Sequence, residues 1–173
     1  MNTTNKVEEF HEMVGDYFGK MGELEPREIR QLRIALLFEE LQELAEAGDV
    51  QGSFMSLCQE AHTKLLAADV EDGDNVDKVE ELDAICDIEY LLNGKKLTSG
   101  LASVFEEAFE LVHRNNMDKG HISYEAAIKT SEKRGGAKIR TSRGRFLVHR
   151  EDGKLLKPWN HEKVDLKPLL DVQ

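Results

Sequence analysis

Apolar residues recur at spacings of three and four through the first two thirds of the chain, a pattern typical of amphipathic helices. Pro26 suits the first turn of the second helix, and Gly48 follows its last turn. Asn93-Gly94 marks a stop after the fourth helix, and the stretch 71–75 is expected to be a loop. The five predicted helices cover residues 7–18, 27–47, 53–68, 75–92 and 97–116.

The helical pattern weakens after Lys119. Residues 124–133 predict one short helix, which Gly135-Gly136 ends. Residues 145–150 and the turn residues 151–154 predict a short strand and turn of the kind that forms a hairpin.

We expect one domain, because 173 residues fall within the usual size of a single domain. The predicted fold is all-α: a bundle of about five helices over residues 1–118. Residues 119–173 are expected to form an irregular basic extension that packs on this core within the same domain. Pro158 and Pro168 favour a tail that lies along the surface.

Charge is divided unevenly along the chain, whose net charge is −11. Residues 119–167 hold 13 basic and 6 acidic residues, so the remainder carries a charge of −18. An acidic body repels the phosphates of nucleic acids but collects divalent cations, and a basic segment suits an anionic small molecule. We therefore expect no nucleic acid partner. The alternative is a set of solvated surface charges without a binding role.

Membrane insertion and secretion are not indicated. The longest uncharged apolar run, 34–38, is far shorter than the roughly 20 residues that a bilayer requires. The first residues show neither the apolar segment nor the cleavage site of a signal peptide. Cys58 and Cys86 lie within apolar patterns and are expected to be buried thiols. These features favour a cytoplasmic protein without a membrane partner.

Two of the predicted helices carry carboxylates among apolar residues. They are Glu39, Glu40 and Glu43 on the second helix and Glu80, Asp83 and Asp87 on the fourth. Spacings of three, four and seven residues place side chains on one face of a helix. If the two faces meet, carboxylate repulsion requires compensation, which Mg²⁺ or Mn²⁺ supplies to a set of oxygen ligands. The alternative is that both stripes are ordinary solvated faces.

A third polar feature lies at the end of the fifth helix, in residues 113–119. Arg114, Asn116 and Lys119 offer hydrogen-bond donors for phosphate oxygens. The alternative is a basic last turn that complements the helix dipole.

Taken in order, these motifs resemble the all-α nucleoside triphosphate pyrophosphohydrolases, which include MazG, dimeric dUTPase-like enzymes and phosphoribosyl-ATP pyrophosphohydrolase. Residues 39–44 resemble the E-E-x-x-E motif of this superfamily. Residues 83–90 resemble the D-A-x-x-D-I-x-Y segment of its MazG-like branch, and 113–119 resemble the H-R-x-N-M-x-K helix end. Residues 152–157 and Asp165-Leu166 resemble the D-G-K-x-x-K and D-L segments of the tail. The resemblance extends over nearly the whole chain.

The resemblance implies Mg²⁺-dependent hydrolysis of a nucleoside triphosphate, or a close relative, to a monophosphate and pyrophosphate. The implied metal ligands are Glu40, Glu43, Asp83 and Asp87, with Glu80 as an alternative. In this arrangement Glu39 orients or deprotonates the attacking water. The residues that bind phosphate are Arg114, Asn116 and Lys119.

A homodimer or homotetramer is also expected, with the active site near the subunit interface. The superfamily assembles through its helices, and the second helix is apolar on more than one face. A helix of this kind needs cover on more than one side, and closed symmetry is the usual outcome. The alternative is a monomer whose C-terminal segment covers the second face.

Two features depart from the superfamily pattern. The second motif is usually E-x-x-D, but Ala84 stands at the expected glutamate position, and Asp83 substitutes for it as in the phage-like branch. Glu80 and Asp83 also match E-x-x-D, so the register of this motif stays open. Segments 49–74 and 120–144 are longer than a minimal member needs, and they are expected to reshape substrate choice or the oligomer.

Three other functions fit parts of the sequence. Phosphoribosyl-ATP pyrophosphohydrolases apply the same chemistry to an intermediate of histidine synthesis. A non-catalytic acidic scaffold or nucleotide sensor needs helices but no chemistry. A di-iron bundle requires Glu-x-x-His pairs, and Glu110-x-x-His113 alone is insufficient.

Overall fold

The computed structural model describes residues 2–20, 23–50, 52–67, 76–151 and 154–171. Helices dominate these residues, and the short strands lie between residues 120 and 149, which confirms an all-α fold with a C-terminal appendage. The elements are α1 (Thr3–Val14), α2 (Arg27–Ala47), α3 (Ser53–Leu66), α4 (Lys78–Thr98), α5 (Phe105–Met117), β1 (Gly120–His121), α6 (Tyr124–Arg134), β2 (Lys138–Ser142), β3 (Arg145–His149) and α7 (Lys167–Leu170).

The chain divides into two compact units. One is Tyr17–Asp83, and the other combines Met1–Asp16 with Ala84–Gln173. The domain boundary predicted at residue 118 stays a prediction. Among the described residues, no helix combines the length and the apolar character that crossing a bilayer requires.

Helices α2 and α3 pack together in the unit Tyr17–Asp83. Ala35 is fully buried in α2, and Cys58 is buried in α3. A small residue at position 35 allows close approach, and the Nδ1 of His62 donates to the Ala35 carbonyl oxygen at 3.0 Å. This hydrogen bond ties the middle of α2 to α3 directly.

The second unit joins α1 to α5. The Asn2 side chain caps α1 by accepting from the Asn5 backbone N–H at 2.9 Å. Buried Lys6 places its Nζ 2.8 Å from the Glu110 carboxylate, and the His113 ring lies 3.3 Å from the Glu9 carboxylate. His113, part of the motif at the end of α5, therefore serves a contact between helices.

The C-terminal part of this unit is a three-stranded antiparallel sheet in the order β1-β3-β2, with α6 packed against it. Leu147 and Val148 of β3 are buried together with Ala127 and Thr130 of α6. Gly136 permits the close approach, since a Cβ there would lie 2.5 Å from Val148 Cγ1. The long segment 120–144 therefore contains β1, α6 and β2.

Several boundaries differ from the sequence-based predictions. Helix α1 ends before Gly15, whose φ of 74° provides a left-handed cap, so the predicted end at residue 18 was wrong. Helix α4 continues through Asn93-Gly94 to Thr98, and α5 consequently begins at Phe105 instead of residue 97.

The strand 145–149 was predicted, but its partner was not. It pairs with β2 through a tight turn at Arg143-Gly144, whose φ angles of 45° and 75° match a type I′ hairpin. On its other side, His149 forms an isolated bridge with Leu155. Residues 152 and 153 of the predicted turn lie outside the described residues, as do the predicted loop 71–75 and residue 68 of the third helix.

The tail ends in α7, beside α5. Leu166 and Leu170 line an apolar groove of about 310 Å³ together with Phe105 and Phe109. The two cysteines differ: Cys58 is buried as expected, but Cys86 is exposed on α4, so that expectation was wrong. Nothing else in α4 is buried either.

Candidate functional site

The acidic residues of α2 lie in the second half of that helix. Glu39 is half-buried, whereas Glu40 and Glu43 are exposed. Their spacing of three residues places Glu40 and Glu43 on one face, less than one turn apart. Leu36 and Leu44 of the same helix are also exposed, so these carboxylates stand within an apolar surface.

The three acidic residues of α4 that the sequence singles out are all exposed. Glu80, Asp83 and Asp87 form the stripe that the spacing predicts. Apolar side chains of α4 are equally open, with Val79 76% and Tyr90 80% exposed. The stripe therefore lies on a helix that offers both carboxylates and apolar area.

Within the part of the chain that the structure describes, no three His, Cys, Asp or Glu residues are gathered as a metal site. The assignment of Glu40, Glu43, Asp83 and Asp87, with Glu80 as alternative, stays a prediction. The donors are all carboxylate oxygens, which is the chemistry that Mg²⁺ and Mn²⁺ prefer.

The three predicted phosphate ligands lie at the end of α5. The Nε of Arg114 donates to the Glu110 carboxylate at 2.8 Å, and its side chain is 71% exposed. Lys119 Nζ lies 5.4 Å from the centre of the Phe10 ring, and Asn116 is half-buried on the same helix. Arg114 thus also forms an ion pair with Glu110, and its positive charge complements the helix dipole at the last turn of α5.

A polar pocket begins where α5 ends, and the sequence analysis missed it. This α6 pocket has a volume of about 530 Å³. Its polar lining includes Asn115, His121, Ser123, Arg145, Asn160 and His161. The residues come from three separate segments, so no single motif identifies the pocket. The one local signal in the sequence is the pair of polar residues just before α6, His121 and Ser123.

Two histidines line the pocket, one buried and one half-buried. His121 is 6% exposed, and burial lowers the pKa of its ring. Burial also lowers the pKa of His161, and the neighbouring cations Lys157, Arg134 and Lys119 lower it further. In both rings the lowered pKa favours the neutral form.

A comparison with protein families gives the class of protein. The family model for phosphoribosyl-ATP pyrophosphohydrolase matches residues 7–116, well over half of the chain. The protein is thus an all-helical hydrolase of the nucleotide pyrophosphohydrolase type. In particular, it belongs to the phosphoribosyl-ATP pyrophosphohydrolase family. No curated protein and no solved structure gives a significant match.

The matched range bears directly on the site. It contains both acidic stripes, on α2 and α4, and the end of α5 as far as Asn116. Lys119 and all of the α6 pocket except Asn115 fall beyond it.

Proposed function

We propose that this protein cleaves a nucleoside triphosphate to nucleoside monophosphate and pyrophosphate in a Mg²⁺-dependent reaction. The observation that carries the proposal is the family match over residues 7–116, which includes every proposed metal ligand. A nucleotide substrate also favours a cytoplasmic enzyme.

The metal is held by Glu40, Glu43, Asp83 and Asp87, with Glu80 as the alternative ligand and Mn²⁺ as the alternative ion. Spacing along each helix supports this set, because each pair shares a face. When bound, the metal neutralises charge on the phosphates.

Glu39 acts on the attacking water. Its half-buried position on α2, next to Glu40, supports this role. Glu39 accepts a proton from the water while the water oxygen bonds to the α-phosphorus. The bond between the α-phosphorus and the oxygen that bridges it to the β-phosphate breaks, and pyrophosphate leaves. The products are the monophosphate and pyrophosphate.

Phosphate binding falls to residues at the end of α5. Arg114 uses its terminal amino groups while Nε donates to Glu110, and Asn116 donates from its amide. Lys119 adds a compact positive charge.

The site is completed in a homodimer or homotetramer. Leu37 and Leu41 of α2 and Ile85 and Leu91 of α4 are between 46% and 71% exposed in the single chain. Apolar surface on this scale marks an interaction face, and a second copy of the same chain offers a self-complementary partner.

Two alternatives differ in substrate or in chemistry. Phosphoribosyl-ATP is the substrate that the family's description names, so it is the second candidate. A nucleotide sensor or acidic scaffold without turnover is the third.

A substrate panel separates these functions. Pyrophosphate release is measured from the common ribo- and deoxyribonucleoside triphosphates and from phosphoribosyl-ATP, each with Mg²⁺, with Mn²⁺ and with a chelator. Release from the triphosphates supports the proposal, and release from phosphoribosyl-ATP alone supports the second candidate. No release from any substrate leaves the sensor or scaffold.

The metal ligands are tested with a matched pair of variants. Glu43→Gln should abolish Mg²⁺-dependent turnover and leave the helical circular-dichroism signal intact. Glu46→Gln makes the same change on the same helix, at a carboxylate that accepts a hydrogen bond from Gln42 at 3.3 Å. This control variant should retain wild-type turnover. Normal turnover in Glu43→Gln contradicts the site.

A further inference from the structure

We propose that the α6 pocket binds a phosphate-bearing small molecule, and that this binding does not require the carboxylates of α2 and α4. The pocket is formed by the end of α5, the junction of β1 with α6, Arg145 of β3 and the segment 158–162. Its volume of about 530 Å³ lies within the range of small-molecule sites, about 300–1,000 Å³. The inference does not depend on the proposed hydrolysis.

The first argument is an unsatisfied polar atom. His121 lines the pocket and is 6% exposed, yet its Nε2 has no hydrogen-bond partner among the described residues. A buried polar atom without a partner destabilises a fold. A ligand oxygen that accepts from Nε2–H removes that cost, and the neutral ring supplies this donor without a charge of its own.

The second argument is charge. Arg145 lines the pocket and donates from Nη1 to the carbonyl oxygen of Gly120, the residue before His121, at 3.3 Å. Among the described residues, the lining itself holds one cation, Arg145, and two carboxylates, Asp118 and Glu162. Around the ring of His161, however, the cations Lys157, Arg134 and Lys119 act against the carboxylate of Asp118. The positive charge is therefore concentrated beside His161, and we expect the anionic group of a ligand there.

The third argument is the start of α6. Ser123 caps this 11-residue helix, and its Oγ accepts from the Ala126 N–H at 3.2 Å. Both residues line the pocket, so the positive end of the helix dipole faces it. A tetrahedral phosphate offers several acceptor oxygens, and Arg145, His121 and this helix end are the donors that the pocket supplies.

The wall formed by 158–162 is held at both ends. The backbone N–H of Trp159 donates to the buried Thr130 Oγ1 at 3.1 Å, and Lys129 Nζ lies 3.7 Å above the Trp159 ring. Asn115 Nδ2 donates to the Glu162 carbonyl oxygen at 3.0 Å. The pocket is therefore formed before a ligand arrives. Trp159 is also the only tryptophan of the chain and directly precedes the lining residue Asn160.

The test measures binding with the metal removed. Trp159 fluorescence of the full chain is followed in EDTA during titration with inorganic phosphate, pyrophosphate, AMP and adenosine. Calorimetry of the same titrations detects binding that leaves the fluorescence unchanged. We expect saturable binding of at least one phosphate compound and none of adenosine. Binding of AMP alone indicates a nucleotide ligand, and binding of phosphate or pyrophosphate indicates the free anion.

A matched pair of arginine variants locates the binding. Arg145→Gln should weaken it about tenfold or more, the effect of losing a charged hydrogen-bond donor. Arg140→Gln removes the same charge from the neighbouring strand, outside the pocket, and should retain wild-type affinity. If Arg145→Gln fails to fold, Asn160→Ala, at an exposed lining residue, replaces it.

Three results would overturn the proposal: no saturable binding of any phosphate compound, equal affinity for adenosine and AMP, or wild-type affinity in the pocket variant. Glu43→Gln should retain binding in this assay. Loss of hydrolysis with retained phosphate binding separates the two sites, so failure of the proposed hydrolysis leaves this inference standing.

Discussion

Lys6 and Glu110 lie 104 residues apart in the chain, yet the Lys6 ammonium is 2.8 Å from the Glu110 carboxylate. Lys6 is buried, and the same carboxylate accepts from Arg114 Nε at 2.8 Å. The hydrogen bond from Lys6, followed by that from Arg114, lowers the pKa of Glu110 from 4.5 to about 2. One carboxylate therefore ties α1 to α5 and holds a candidate phosphate ligand.

This lowered pKa predicts a pH dependence of stability. Glu110 stabilises the fold above its ordinary pKa of 4.5, and the contribution is lost as pH falls through about 2. Glu110→Gln should therefore be less stable than wild type at neutral pH, with a gap that closes between these two values. Urea unfolding across this range measures the gap. The control is Glu107→Gln, at an exposed position on the same helix. A difference in free energy of unfolding between wild type and Glu110→Gln that does not change with pH would contradict the assignment.

Two glycines should respond in opposite directions to alanine. A Cβ at Gly136 would lie 2.5 Å from the buried Val148 Cγ1 and 2.8 Å from Ser131 Cα, so Gly136→Ala should lose about 1–3 kcal/mol of stability. Gly94 lies within α4, and a Cβ there meets no described atom within 4 Å. Gly94→Ala should gain about 0.5–1 kcal/mol from helix propensity. Urea unfolding decides both, and a neutral Gly136→Ala would show that α6 and β3 are less closely packed.

The role of Lys119 is tested by its effect on KM. Lys119→Ala should raise KM for a triphosphate about tenfold, because a charged donor to phosphate is removed. Lys163→Ala removes the same charge at an exposed position of the tail and should leave KM unchanged. Thermal unfolding of Lys119→Ala checks that loss of the contact with Phe10 has not weakened the fold. An unchanged kcat/KM removes Lys119 from the site.

Assembly is tested by the mass in solution. Light scattering coupled to size exclusion should give two or four times 19.6 kDa at micromolar concentration. Leu91→Glu places a charge on a 71% exposed position of α4 and should shift the protein towards a single chain. Val50→Glu, beyond the end of α2, is the matched control. A wild-type mass near that of one chain rules out the oligomer.

Local signals predicted the helices that have clear ends. Pro26 and Gly48 bracket α2, whose observed bounds, Arg27–Ala47, are the predicted ones. Asn93-Gly94 was misleading, because a single glycine costs a helix only about 1 kcal/mol. Apolar residues on both sides of it and Lys95-Lys96 near the helix end favour continuation to Thr98.

Long-range pairing could not be predicted in the same way. Strand β1 has two residues, too few for an alternating pattern, and it pairs with β3 some 26 residues later. The α6 pocket depends on this pairing, because it brings Arg145 beside Gly120. For the acidic residues, spacing predicts which of them share a helix face, whereas distances between helices depend on tertiary packing.

The order β1-β3-β2 makes β1 and β2 the edge strands of the sheet. Neither edge favours pairing with a strand of another molecule. One, β1, is only two residues long, and the other, β2, carries exposed Lys138 and Arg140. Short edges and edge cations both oppose the addition of a further strand from another molecule. The sheet of the C-terminal extension is thereby protected from strand-to-strand aggregation, although the helices of the same protein expose apolar side chains. If copies of the chain associate as proposed, the exposed apolar faces of the helices are where we expect them to meet, in a closed assembly and not in a fibre.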